Sequence, residues 1–365
     1  MSLQPTINKP QERESNIELL RIILMLMIIG YHLLVHGGDV GPLDGDYYIT
    51  NKSSVAYLLL KSFLVISVNS FVFISGYYRI NFKIKPFLSL IFQTIFYSLT
   101  IHLVVDTLTS QQVSTLDYLT ALFPFFLNSW WYITAYLALY LLSPLLNSAI
   151  DAFTKNQFLF VVISMTVINL VGGFSESVGE IVGNNKGHSL INFIHIYLVA
   201  QYIRKYEHLD NLTKHSSAVY IGTSLLVFIL AFLSITQLDQ LGVKRIFAYN
   251  NPLVLLAAIS FFFIFKNINI RSKIINNISP YVLGVYLFHD HPLTREHLIE
   301  YLFDISQSSS AFLHFLNLLL ITLLIFLAGF IIDKIRSLLL TPIILYLIER
   351  FRLERVERIF KMRPR

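Results

Sequence analysis

No cysteine occurs in the 365 residues. That excludes structural disulfides, thiolate metal sites and an acyl-cysteine intermediate. Charge is scarce too: Asp, Glu, Lys and Arg make up 14% of the chain against 55% hydrophobic residues, with a mean hydropathy of +0.62. So little charge cannot cover an aqueous protein of this length. A GxSxG nucleophile elbow is missing, as are HExxH-type metal spacing, a glycine-rich phosphate loop and any internal repeat. A serine hydrolase, a zincin and a nucleotide-loop enzyme therefore have no support.

What is present is a succession of long apolar runs with short polar gaps, the pattern of an all-α polytopic membrane protein. About ten spans are expected, near residues 17–35, 54–78, 87–105, 131–147, 158–173, 190–203, 218–235, 252–265, 278–289 and 311–332. Segment 1–16 reads as a cytoplasmic stretch before an uncleaved signal anchor, 17–332 as the transmembrane domain and 333–365 as a basic tail. The stretch 119–127, with Pro124 inside it, is too short to cross and reads as re-entrant or interfacial.

With the N-terminus in the cytoplasm, inner loops receive Arg79, Lys83, Lys85, Lys155, Arg204, Lys205, Lys214, Lys266, Arg271 and Lys273. Outer loops receive only Lys52, Lys186, Lys244, Arg245 and Arg295, together with acids such as Asp39, Asp44 and Asp46. That asymmetry fits the positive-inside rule and places both termini in the cytoplasm. The net charge of +6 then orients helices and implies no nucleic-acid partner. Tail residues Arg350, Arg352, Arg355, Arg358 and Lys361 alternate with apolar ones, which suits a helix lying on anionic membrane lipids.

The first span carries Arg21 and His32, with ten residues between them. On a helix they sit about 20° apart around the axis and roughly 16 Å apart along it. Ionisable groups inside a span are costly and mark cavities or pathways, whereas an arginine near a helix start can also snorkel to the interface. Glu18 shares the face and can pair with Arg21. Most other histidines fall on the outer side, with His208 and His215 inner. No metal is expected at His289-Asp290-His291, because residues two apart on a helix point away from each other.

These residues resemble the membrane-bound acyltransferase family 3, which includes O-acetyltransferases of bacterial surface polysaccharides and the intercellular-adhesin membrane protein of staphylococci. Arg21 and His32 match its first-helix pattern, Arg or Lys, ten residues, then His. Asn16-Ile17-Glu18-Leu19-Leu20-Arg21, Phe71-Val72-Phe73-Ile74-Ser75-Gly76-Tyr77, the block Trp131–Tyr136 continuing through Leu142–Asn147, and Leu283–His289 resemble further family motifs in the expected order. The inner loop departs from the pattern: many members carry Arg-x-x-Arg there, and this chain has Arg79, Lys83 and Lys85 in another spacing.

The resemblance implies acetyl-CoA as acyl donor, entering from the cytoplasm of a bacterial cell, and a polysaccharide or lipid-linked glycan as acceptor. Arg21, backed by Arg79, Lys83 and Lys85, would hold the nucleotide phosphates. His32 would act as general base, or carry the acyl group as nucleophile. A non-enzymatic exporter or flippase of such a glycan is the alternative, since intramembrane charges also mark transport routes. An imidazole base works best with a partner that fixes its tautomer. Asp290 and His289 lie at the expected depth of His32 and are candidates for that partner, within hydrogen-bond reach of it if they serve. Asp290, at a helix end, reads equally as a solvated loop acid, which would leave Glu18 or a bound substrate group to orient the base.

Overall fold

The computed structural model describes residues 13–37, 52–109, 113–126, 130–206, 210–237, 242–308 and 310–360. Asp39, Asp44, Asp46, His208 and Lys361 lie outside the described residues. Among the described residues every regular element is helical. Hydrocarbon offers no partner for a bare N–H or C=O, so a chain this apolar crosses by bonding its backbone within each segment.

The main helices are α1 (Ser15–His32, continued by a π turn, Leu33–Gly37), α2 (Lys52–Leu64), α3 (Ser67–Tyr77), α4 (Ile84–Leu108), α5 (Trp131–Ala152) and α6 (Lys155–Phe174). They continue as α7 (Leu190–Tyr206), α8 (Asp210–Gln237), α9 (Pro252–Lys266), α10 (Val282–His289) and α11 (Ala311–Arg350). Among the described residues seven stretches are long and apolar enough to cross a membrane, with α2 and α3 counted as one broken span. Three more of the expected spans, at α7, α9 and α10, are shorter helices whose inward faces are well buried. Helices of this kind are buried within a bundle rather than set against lipid.

Local signals set several boundaries. Thr154 and Gln157 form a capping box that opens α6. Asn251 Oδ1 accepts from the Leu253 N–H at 2.9 Å and Pro252 takes the first turn of α9, so the strongly apolar run after it starts cleanly. Before Pro124, a short helix Thr115–Ala121 ends in a turn and leaves Leu116, Leu119 and Phe123 exposed.

The helix expected to stop near residue 332 runs on to Arg350. The cause is a buried polar knot at Asp333. Arg336 Nε donates to Asp333 Oδ1 at 2.6 Å, Gln93 Nε2 at 2.9 Å and the Tyr97 hydroxyl at 3.2 Å. A charge so compensated has no reason to leave the bundle. Asp333 also packs on Gly284 of α10, where a Cβ would collide with the carboxyl group, while Gly329 gives room to the Val285 backbone. Small residues at these crossings let α10 lie close against α11. Beyond α11, Glu357 Oε1 accepts from the Ile84 N–H at 2.9 Å, so the tail covers the start of α4.

Absence of native cysteine makes sidedness directly testable. Single cysteines at the exposed positions Ser177 and Gln307, at the His32 end of the bundle, are expected to label with an impermeant thiol reagent applied to intact cells. Cysteines at Asn156 and Lys273, at the opposite end, are expected to label only after permeabilisation. The reverse pattern would invert the orientation drawn from the basic loops.

Candidate active site

Helix α1 holds both ends of the site. Near its start, Arg21 Nε lies 3.9 Å from Glu18 Oε2, too far for a hydrogen bond, and that Nε–H is buried with no acceptor. Glu18 is instead engaged by the Ser279 hydroxyl, which donates to Oε2. A buried guanidinium N–H with no acceptor costs free energy and is a ready donor to an incoming anion.

About three turns deeper, His32 Nδ1 lies 3.1 Å from His289 Nε2 and 3.2 Å from Asp290 Oδ1. The proton positions follow from the partners. His289 Nδ1 is 2.7 Å from the Val285 carbonyl oxygen, which only accepts, so Nδ1 carries the His289 proton. In the neutral ring Nε2 is then an acceptor. His32 Nδ1 faces two acceptors and must be the donor, which leaves His32 Nε2 with a free lone pair. The arrangement therefore produces an oriented imidazole base whose far nitrogen can take a proton. Asp290 is 5% exposed, so its charge needs company. Arg295 Nε stands 3.8 Å from its Oδ1.

His36, one turn beyond His32, was not singled out by the sequence. Donor atoms of His32, His36 and Asp290 lie within 4.8 Å of one another, close enough to surround a metal ion. Arg295 stands against such an occupant: its Nη1 is 3.4 Å from His36 Nε2, and it already faces Asp290. A second cation there would meet a resident guanidinium. His291, by contrast, turns to the neighbouring helices, with its ring 5.2 Å from that of His102 and 4.9 Å from that of Trp130.

One cavity of about 410 Å³ joins the two ends. Arg13, Glu18 and Arg21 line it at one end and His32 at the other, with Tyr132, Tyr136 and Tyr286 between. Since Arg21 and His32 are roughly 16 Å apart along the helix, the space is elongated.

The cations of the loop after α3 are placed elsewhere: Arg79, Lys83 and Lys85 are not part of the cavity wall. Arg79 holds Asp151 through Nη1 at 2.8 Å and Nη2 at 2.5 Å, and this carboxylate fixes its guanidinium more firmly than usual in the charged form. Backbone at Lys83 is tied to the Tyr140 hydroxyl, its N–H donating at 3.0 Å. Arg13, two residues before α1, supplies the second cation of the cavity instead. Nothing in the local pattern distinguished it from the other charges around it.

Comparison with curated proteins and with solved structures gave no match. The likeness to the staphylococcal adhesin protein thus rests on the motifs alone. A family model, described as an acyltransferase domain, matches residues 14–334, from the residue before α1 to the buried Asp333 knot. The matched region contains the whole cavity except Arg13, and by that match the chain belongs to acyltransferase family 3, as a membrane acyltransferase.

Proposed function

We propose that this membrane acyltransferase moves an acetyl group from acetyl-CoA to a hydroxyl of a bacterial surface or capsular polysaccharide, or of its lipid-linked precursor. One observation carries the reading: a single elongated cavity with an underused arginine at one end and an oriented imidazole base at the other. Fixed cations suit the phosphates of coenzyme A, and the narrow pantetheine arm suits the tyrosine-lined space between. In this reading Arg13 and Arg21 hold the nucleotide end at the cytoplasmic mouth. The thioester then lies near His32.

The chemistry balances on groups already present. His32 Nε2 takes the proton of the acceptor hydroxyl while its oxygen attacks the thioester carbonyl carbon. The new C–O bond forms, the C–S bond breaks, and the coenzyme A sulfur leaves with the proton that His32 held. Asp290 faces the imidazolium formed on the way and stabilises it. Acyl transfer, rather than export, is the activity class of the family.

The test compares the surface glycan of a deletion strain with that of its parent by NMR. Loss of an O-acetyl ester signal, restored by the wild-type gene, is the expected result. An unchanged ester content together with retained glycan on the inner side of the membrane would favour export instead.

A further inference from the structure

A second cavity, of about 460 Å³, lies on the other side of Trp131. Its wall contains Trp131, Thr134, Asn185, His188, Ser189 and Leu190. Trp131 belongs to both cavities, and Tyr249, which lines the first, stacks on it with ring centroids 5.7 Å apart. The two spaces thus share Trp131 as a wall, backed by Tyr249. Among the described residues no Asp, Glu, Lys or Arg lines the second space, in contrast to the arginines of the first.

The segment that carries Asn185 and His188 is held in shape by its neighbours. Asn184 Oδ1 accepts from the Gly187 N–H at 3.0 Å, and Asn184 Nδ2 donates to the Asn169 carbonyl at 3.0 Å. Asn192 Nδ2 donates to the Gly187 carbonyl at 3.1 Å, and the Tyr249 N–H to the Lys186 carbonyl at 3.0 Å. Gly187 has φ +85°, and a Cβ there would collide with the Asn250 and Tyr249 backbone, so only glycine fits. This is a preformed loop, and preformed loops present side chains to ligands at low ordering cost.

The polar groups it presents are neutral and of both kinds. Asn185 and His188 are exposed. The Asn185 amide can donate and accept. His188 Nδ1 donates to the Asn185 carbonyl at 3.2 Å, which leaves Nε2 as an acceptor. His188 also packs against Trp131 and Tyr249, at 4.4 and 4.7 Å between centroids. An aromatic wall with neutral donors and acceptors matches one ligand chemistry above others. A pyranose ring has weakly positive C–H faces, attracted to an aromatic ring, and a rim of hydroxyls. Among the described residues no cation stands in the wall to hold a phosphate, Lys186 lying beside His188 but outside the lining, and an acyl chain would leave the amide and imidazole unpaired.

We propose that this second cavity is the acceptor subsite, which holds a neutral sugar residue against Trp131 with Asn185 and His188 on its hydroxyls. The inference rests on the O-acyltransferase reading above and adds where the acceptor sits. A sugar seated there would rest on Trp131, which also lines the space that holds His32.

The experiment uses the full chain in lipid nanodiscs, labelled acetyl-CoA, and oligosaccharides of the alkali-de-esterified surface glycan. Asn185→Ala and His188→Ala are each expected to raise the acceptor KM about 10-fold, the loss of one or two hydrogen bonds, with acetyl-CoA KM unchanged. A readout without turnover accompanies it. The chain has two tryptophans, Trp130 and Trp131, so oligosaccharide is expected to change intrinsic fluorescence saturably in the wild type and not in Trp131→Phe. Wild-type transfer with acceptor KM unmoved in both alanine variants would overturn the subsite and leave the acyltransferase reading intact. An equal rise in acetyl-CoA KM would also overturn it. If wild-type protein binds acetyl-CoA yet acylates no saccharide, the saccharide acceptor fails and this subsite fails with it.

Discussion

His32→Ala is expected to abolish acyl transfer while the protein still accumulates in the membrane. Among the described residues His32 is the one imidazole that lines the cavity, and its Nε2 is left as the acceptor because its Nδ1 is committed to His289 and Asp290. Losing a general base costs about 10²–10⁴-fold, and more where the same group also carries the acyl chain. The check is turnover of labelled acetyl-CoA by purified protein at matched membrane content. Asp290→Asn is the companion variant. Its amide oxygen can still accept from His32 Nδ1, so the ring stays oriented, but the charge that faces the imidazolium is gone. It is expected to lower kcat by about 10²-fold, with both KM values nearly unchanged. Near-normal turnover in a well-expressed His32→Ala variant would remove the central claim of the proposed mechanism.

Arg21→Ala is expected to weaken the donor and spare the acceptor. A lost hydrogen bond to a charged partner is worth about 1.5–3 kcal/mol, which raises the acetyl-CoA Kd roughly 10–100-fold. Arg21→Lys is expected to recover part of that, since an ammonium still attracts phosphate but cannot grip it in two places. Calorimetry with acetyl-CoA on the protein in nanodiscs separates these outcomes. An unchanged Kd in Arg21→Ala would return the residue to a local role beside Glu18. Arg13 is the next cation to test, because it shares the cavity wall, whereas Arg79 is already committed to Asp151.

Much of this was legible in the order of residues. An α-helix closes its hydrogen bonds four residues away, and within hydrocarbon it has no other option. The helices therefore follow from apolar runs, caps and prolines. The stripe of Arg21 and His32 follows too, because two residues on one helix have their separation set by helical geometry alone. The structure retains that stripe and runs a cavity along it. Span length was harder to read. Residue 332 looked like an end because Asp333, Lys334 and Arg336 follow it, and it is the pair with Arg336 together with the packed partners Gln93 and Tyr97 that makes the charge at 333 tolerable inside the bundle.

Partnerships between helices were the part that tertiary structure decided. His32 and His289 are 257 positions apart, and their 3.1 Å contact depends on how closely α10 can approach α1 and α11. Gly284 and Gly329 allow that approach, yet neither glycine announces its partner in the sequence. The proton arrangement at His32 depends on the Val285 carbonyl, a backbone group that any residue would supply. Likewise, Arg13, Arg21, Arg79, Lys83 and Lys85 are alike as charges, and packing sorts them into those that reach the cavity and those that do not. Local backbone bonding determined which segments are helices. Which side chains those helices bring together depended on close packing between segments far apart in the chain, and no local pattern encodes it.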